Sequence, residues 1–251
     1  MKRYAFRIAA LLFAAALLPT TFHPAAAQEP ISQEERDRIE SVVRDYLLQN
    51  PEIILEAIQI LEERERTAQQ QHRQQAIASL VPTLTASPLT PVIGAQDGDV
   101  TLIEFFDYQC GYCKRFFPGL EEVMAQDDGL RVILVEFPIL GPASLVASRA
   151  ALAARNQGLY VEFHTALMQS EGRLTEEVIF QIADTVGLDE DRLRADMDDP
   201  AIMDYLSLTR EIASSLEITG TPSMVIGDQF IGGYIPTEDL QTVIEAQRAD
   251  G

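Results

Sequence analysis

The sequence predicts an α/β fold with a helical insertion inside it and a helical arm ahead of it. Three observations predict this. Leu102, Ile103, Phe105 and Phe106 form an apolar run that reads as a buried strand, and a helical pattern follows at once at Cys113, Phe116, Phe117, Leu120, Val123 and Met124. A second apolar run over residues 131–137 restores strand character after that helix, the pattern of a parallel β-α-β unit. Helical periodicity then fills roughly residues 143–216 before the next strand, far beyond an ordinary crossover.

In chain order, residues 1–27 have the layout of an export signal. Lys2, Arg3 and Arg7 precede an apolar core over residues 8–18, and Ala25-Ala26-Ala27 supplies small residues before Gln28, the expected mature start. The apolar core falls short of the ~20 residues that span a bilayer comfortably. Its removal takes away three basic residues and no acidic one, leaving 16 basic against 39 acidic residues, a net charge of −23. So acidic a chain is not expected to bind nucleic acid, where affinity comes mostly from Lys and Arg neutralising phosphates. Export predicts a periplasmic location, where disulfides persist.

Residues 28–80 read as a helical arm. Ser32-Gln-Glu-Glu35 fits a capping box. Ile39, Val42, Val43, Tyr46 and Leu47 follow at helical spacing, and Asn50-Pro51 ends that helix and starts a second one, with Asn50 expected as its N-cap and Pro51 at its first helical position, carrying Ile53, Ile54, Ala57, Ile58 and Leu61. Beyond Leu61 the pattern turns polar. So few large apolar side chains cannot build a core of their own. The arm must pack on its own catalytic domain or on another copy, and homo-oligomerisation through residues 32–80 is expected. Residues 81–91, with Pro82, Pro88 and Pro91, read as a proline-rich linker.

The domain proper is expected over residues 92–251. Val92-Ile93-Gly94 reads as a short edge strand, and the active-site helix should run from Cys110 to about Gln126. In the insertion, Val178, Ile179, Ile182, Ala183 and Val186 form a helical stripe ended by Gly187, and His164 is read as a packing or surface residue. Ser223-Met-Val-Ile226 and Gln229-Phe230-Ile231 flank Gly227-Asp228 as a β-hairpin, and a last helix carries Leu240, Val243 and Ile244 inward.

The chemistry concentrates in Cys110-Gly-Tyr-Cys113. The pair sits where the strand gives way to the helix, so free backbone N–H groups and the helix dipole favour an anion there. That anion would be the Cys110 thiolate, a nucleophile and leaving group near neutral pH. A zinc site needs four ligands, whereas the chain has two cysteines and its histidines, His23, His72 and His164, are remote in sequence. A purely structural disulfide closing so small a ring would stabilise little. The reading is a redox pair with no cofactor and no metal.

The segment Glu104-Phe-Phe-Asp-Tyr-Gln-Cys110-Gly-Tyr-Cys113-Lys-Arg115 resembles the active-site segment of the DsbA-like thiol–disulfide oxidoreductases, which have a thioredoxin fold, and Gly220-Thr221-Pro222-Ser223 is similar to the second half of that family's signature. With its N-terminal helical extension the chain resembles the suppressor-of-copper-sensitivity and Com1-like branch. The resemblance implies a thioredoxin fold with an inserted helical subdomain, a cis proline at Pro222 beside the cysteines, and Thr221 offering backbone groups to an extended substrate. It also implies a buried acid at Glu104, either a proton acceptor or relay or a merely paired strand carboxylate, and places Tyr112 where a histidine otherwise helps hold the thiolate. The Tyr112 phenol can donate one hydrogen bond but carries no charge, so a less depressed Cys110 pKa than that of DsbA is expected. The Gly-Tyr dipeptide is similar to that of DsbC-type isomerases and leans the expectation toward disulfide shuffling. A disulfide-donating oxidase and a non-enzymatic binder of copper or unfolded chains are the alternatives. The implied partners are exported cysteine-containing proteins and a membrane redox partner.

Overall fold

The computed structural model describes residues 31–250. The signal segment and the mature start expected at Gln28 lie outside them. The chain divides into two units after Leu61.

In the first unit, α1 (Gln33–Gln49) opens on Ser32, whose hydroxyl accepts the Glu35 N–H at 3.3 Å. It closes on Asn50, whose side-chain amide donates to the Tyr46 carbonyl at 2.9 Å. Asn50 therefore caps the helix before it. The next helix, α2 (Glu52–Thr85), belongs to this unit only through its first turns. No α1 residue is buried, and Ile39, Val42, Val43, Tyr46 and Leu48 stand exposed, as do Ile54, Leu55, Ile58, Ile60 and Leu61 of α2.

The second unit is built on a five-stranded sheet in the order β1-β3-β2-β4-β5. Its strands are β1 (Val92–Gly94), β2 (Val100–Phe106), β3 (Leu130–Glu136), β4 (Ser223–Ile226) and β5 (Gln229–Gly232). β2 and β3 pair in parallel through the crossover helix α3 (Gly111–Gln126), and the other pairs are antiparallel. Both faces of β2 and β3 are covered, which is why these strands read as nearly unbroken apolar runs. Leu102, Phe106, Val132 and Leu134 pack with Phe116, Leu120, Leu240 and Ile244 of α3 and the last helix, α9 (Thr237–Asp250). On the opposite face Ile103, Phe105, Ile133 and Val135 meet Ile77, Leu80 and Leu84 of α2 and Ile212 of the insertion. The insertion runs between β3 and β4 as α4 (Pro142–Ala154), α5 (Tyr160–Gln169), α6 (Glu176–Thr185), α7 (Glu190–Met197) and α8 (Pro200–Ser215). This is the expected thioredoxin fold with its inserted helical subdomain.

The boundary of the proline-rich linker is corrected. α2 runs through Pro82 to Thr85, so only residues 86–91 connect it to β1. Pro82 forfeits a helical hydrogen bond and costs about 3 kcal/mol. Leu80 and Leu84 flank it one turn apart at 2% and 0% exposure, and full burial of two leucines, at about 1.5–3 kcal/mol each, offsets that cost. The last turns of α2 are thereby core of the second unit rather than part of the arm expected over residues 28–80.

Candidate active site

The site begins where β2 stops. The Asp107 carboxylate, fully buried, accepts the N–H of Gln109 at 2.7 Å and those of Ile139 and Leu140 at 2.8 and 3.0 Å, tying the turn before the cysteines to the loop after β3. The Cys110 N–H donates to the Asp107 carbonyl at 2.9 Å. With the chain reversed there, Cys110 becomes the N-cap of α3 and its sulfur accepts the Cys113 N–H at 3.4 Å. Residue type and position thus convert a helix start into an anion site.

The two sulfurs are unlike. Cys110 keeps 7% of its surface and Cys113 none. The Cys110 thiol is pulled down to about 5, first by the Cys113 S–H pointing at it, against the cost of burial, then by a hydrogen bond from Thr221 and the N–H groups of Cys113 and Tyr112. As a thiol, Cys110 donates to the Thr221 carbonyl at 3.1 Å. Cys113 is driven far up, by burial first, then by donating to Cys110 and by the nearby Glu104. Glu104 is fully buried on β2, on the α3 face, and neither carboxyl oxygen has a hydrogen-bond partner. Burial, then the Cys110 charge, pushes it up to about 8, so it is a neutral acid at pH 7.

Opposite the cysteines, the Thr221–Pro222 peptide is cis. The Gly233 N–H donates to the Pro222 carbonyl at 2.9 Å, which fixes the segment after β5 against this strip. The structure therefore brings Cys110, Cys113, Glu104, Thr221 and Pro222 together. Tyr112 is placed differently from expectation. Its ring is 58% exposed and its phenol bonds to no described group, so only its backbone N–H serves the thiolate. The reason is its place on the first turn of α3, where Cys113 takes the inward direction.

Two features of the site carry little signal in the sequence. One is Asp107, whose only signal was an acid in the turn before the cysteines. The other is a buried polar cluster behind that turn. Glu136, at the end of β3, accepts from Tyr108 at 2.8 Å, Tyr160 at 3.0 Å and Ser148 at 2.7 Å. The Tyr108 oxygen also shares a hydrogen bond of 2.9 Å with Nδ1 of His164. Burial lowers His164 to about 3, leaving it neutral, and raises Glu136 to about 8 against its three hydrogen bonds. His164 is the packing residue expected, with a polar bond added. Among the described residues no group of three or more His, Cys, Asp or Glu could hold a metal ion, and no described helix is long and apolar enough to cross a membrane.

The family described as DSBA-like thioredoxin domain matches residues 101–245, and the family described as copper resistance protein ScsC N-terminal domain matches residues 35–70. Among solved structures, a thioredoxin-like oxidoreductase from Silicibacter pomeroyi DSS-3 is 40% identical, with 66% of this chain and 96% of that chain covered and a TM-score of 0.64. Proteus mirabilis ScsC in a transitional conformation is 30% identical, with 90% of this chain and all of that chain covered and a TM-score of 0.65. A Na(+)/H(+) antiporter NhaA of Herminiimonas arsenicoxydans is 28% identical over 175 residues, 67% of this chain and 28% of that protein. The chain spans about a quarter of the length of the curated antiporter relatives that it matches.

Proposed function

The chain belongs to the DSBA-like thioredoxin-domain family of thiol–disulfide oxidoreductases, and from that premise we propose that it exchanges disulfides in exported proteins through Cys110 and Cys113, leaning toward isomerisation and reduction. The observation that carries the reading is the asymmetry of the pair. One sulfur is a thiolate at neutral pH with a sliver of exposure, and the other is a buried thiol behind it.

The steps follow from that asymmetry. The Cys110 thiolate attacks one sulfur of a substrate disulfide, forms a mixed disulfide and releases the other substrate sulfur as a thiolate. The charge on Cys110 is then gone, and with it one of the influences that keep Cys113 protonated. Cys113 loses its proton, Glu104 being the adjacent group able to accept it once ionised. The Cys113 sulfur then attacks Cys110, forming the intramolecular disulfide and freeing the substrate thiolate. Electrons pass from the pair to the substrate, and in reverse the same steps donate a disulfide. Thr221 and Pro222 provide the strip along which an extended substrate lies. Shuffling needs only the first step and its reversal at a different sulfur. Residues 1–27 act as the export signal that delivers the protein to the periplasm, and a membrane redox partner resets the pair.

A second reading, a disulfide-donating oxidase, is favoured by one observation. A Cys110 thiolate held at about 5 stabilises the reduced pair and so makes the disulfide form oxidising. Refolding of a scrambled and of a reduced multi-disulfide substrate, each started with the appropriate redox form of the protein, separates the two. Recovery of the scrambled substrate supports the isomerase reading. Activity on the reduced substrate alone assigns the oxidase, and a metal titration that occupies the two thiols without turnover of either substrate assigns the non-enzymatic binder.

A further inference from the structure

We propose that Arg115, Tyr112 and Tyr234 form a docking platform that selects substrate segments carrying a carboxylate beside the target cysteine. The inference rests on the exchange reading above and names which peptides that site prefers. Tyr112 lies between the two cysteines, and Tyr234 lies one residue past Gly233, which is hydrogen-bonded to Pro222. The two rings approach to 6.5 Å between centroids at a 38° tilt. The Arg115 guanidinium carbon lies 5.3 Å from the Tyr112 centroid and 6.0 Å from that of Tyr234, so one cation stands beside both rings. Both rings stand open to solvent, at 58% and 38% exposure, where a packing staple would be buried.

Charge decides the occupant. The chain has 39 acidic residues against 19 Lys and Arg, and five of the described arginines, Arg66, Arg73, Arg149, Arg194 and Arg248, hold a carboxylate while the others, Arg115 among them, do not. Among the described residues Arg115 forms no ion pair within 4.0 Å. Its neighbour Lys114 donates to the carbonyl and hydroxyl of Ser170 and likewise meets no carboxylate. The lip of the site therefore carries uncompensated positive charge in a protein of net charge −20. Among the described residues the Arg115 N–H groups donate to no side chain, and a guanidinium fork can take a carboxylate bidentately. The rings also hold the long side chain in place, reducing the rotamer freedom lost on binding. The Cys110 thiolate does not consume this charge, because hydrogen bonds from Cys113 and Thr221 hold it. An acidic residue one or two positions from a substrate cysteine would meet Arg115 as its sulfur meets Cys110, while a neighbouring apolar side chain rests on the tyrosine faces.

The test uses the full chain carrying Cys113→Ala and peptides whose single cysteine is activated as a 2-pyridyl disulfide, with Glu, Gln or Lys next to it. The Cys110 thiolate attacks the peptide sulfur and forms the Cys110–peptide disulfide. The leaving group takes one proton from water and departs as uncharged pyridine-2-thione, whose absorbance is followed. The Glu peptide should react about three- to fivefold faster than the Gln peptide at low salt, an advantage of the size of one exposed ion pair, and lose most of that lead at 1 M salt. Arg115→Gln should abolish the preference, and Tyr234→Ala should weaken it. The pH midpoint of Cys110 alkylation should stay in place in both variants. Equal rates for Glu and Gln peptides with Arg115 present overturn the platform. So does an Arg115→Gln protein that slows every peptide alike and shifts the alkylation midpoint, which would make Arg115 a support of the thiolate. Absence of thione release with any peptide overturns the exchange reading itself, and the platform with it.

Discussion

The sulfurs of Cys110 and Cys113 differ because one caps a helix and the other lies inside its first turn. Cys110 should therefore alkylate with a midpoint near pH 5, and a Cys110→Ala protein should leave Cys113 unreactive at pH 7. Rate against pH for the reduced protein and for Cys110→Ala checks this, and equal rates at pH 7 would remove the assignment of roles. Stability gives the same assignment a second test. A thiol whose folded pKa lies below its ordinary value of 9.0 adds stability above about pH 9 and loses it as the pH falls through about 5. The denaturation midpoint of the reduced protein should rise between those limits, and that rise should vanish in Cys110→Ala. Glu104 runs the other way. Its pKa is raised from 4.5 to about 8, so its contribution is intact below pH 4.5 and lost as the pH climbs through 8, on the order of 5 kcal/mol in all. Glu104→Gln should flatten that decline. It should also remove the rise near pH 8 in the rate at which Cys113 displaces a bound peptide, whereas an unchanged pH profile of resolution would leave Glu104 a merely tolerated buried acid. Both cysteines, Glu104, Thr221 and Pro222 were legible from short motifs. The direction of the Tyr112 ring was not, because a two-residue spacer fixes backbone positions while the side-chain direction depends on which neighbour fills the core.

At the scale of elements, local signals specified most boundaries. Ser32 and Thr175 accept the N–H groups that open α1 and α6, and Gly227-Asp228 joins β4 to β5 as the turn pattern required. The failure was at Pro82, where composition indicated a linker and tertiary packing made a helix. Leu80 and Leu84 look like an ordinary apolar pair in the sequence, and only the sheet face formed by Ile103, Phe105, Ile133 and Val135 explains why they hold α2 together past a proline. Nor could the sequence reveal that Glu136, Tyr108, Tyr160 and Ser148 meet, since these residues come from β3, the active-site turn and two insertion helices. Leu84→Ala should cost about 2–5 kcal/mol, the range for emptying a fully buried leucine site. Chemical denaturation of the second unit measures it. A loss below about 1 kcal/mol would mean that the end of α2 is dispensable and that the linker begins near residue 81 after all.

For the whole molecule the placement of α2 changes which truncation is informative. Cutting the chain at Pro82 would remove Ile77 and Leu80 from the core of the second unit, so any lost activity would report damage rather than the absence of an arm. A chain starting at Glu62 keeps Ile77, Leu80 and Leu84 and removes only the first unit. That unit carries ten large apolar side chains in the open, from Ile39 through Leu61, more than a soluble surface leaves exposed without a partner. The family match over residues 35–70 spans the same stretch. A second copy of the chain supplies a matching apolar face at no cost in new sequence. Joining sites in one particle raises the effective concentration of a second Cys110 beside a substrate already held by the first, which favours repeated exchange over single donation. Light scattering should therefore find the full-length protein oligomeric and the chain from Glu62 monomeric, with Leu55→Ala weakening assembly while leaving the second unit's denaturation midpoint unchanged. Scrambled-substrate refolding should fall in the truncated chain, and oxidation of a reduced substrate should persist. A monomeric full-length protein, or a truncation that isomerises equally well, would detach shuffling from the arm and leave the thiolate of Cys110 as the oxidising end of a simple donor.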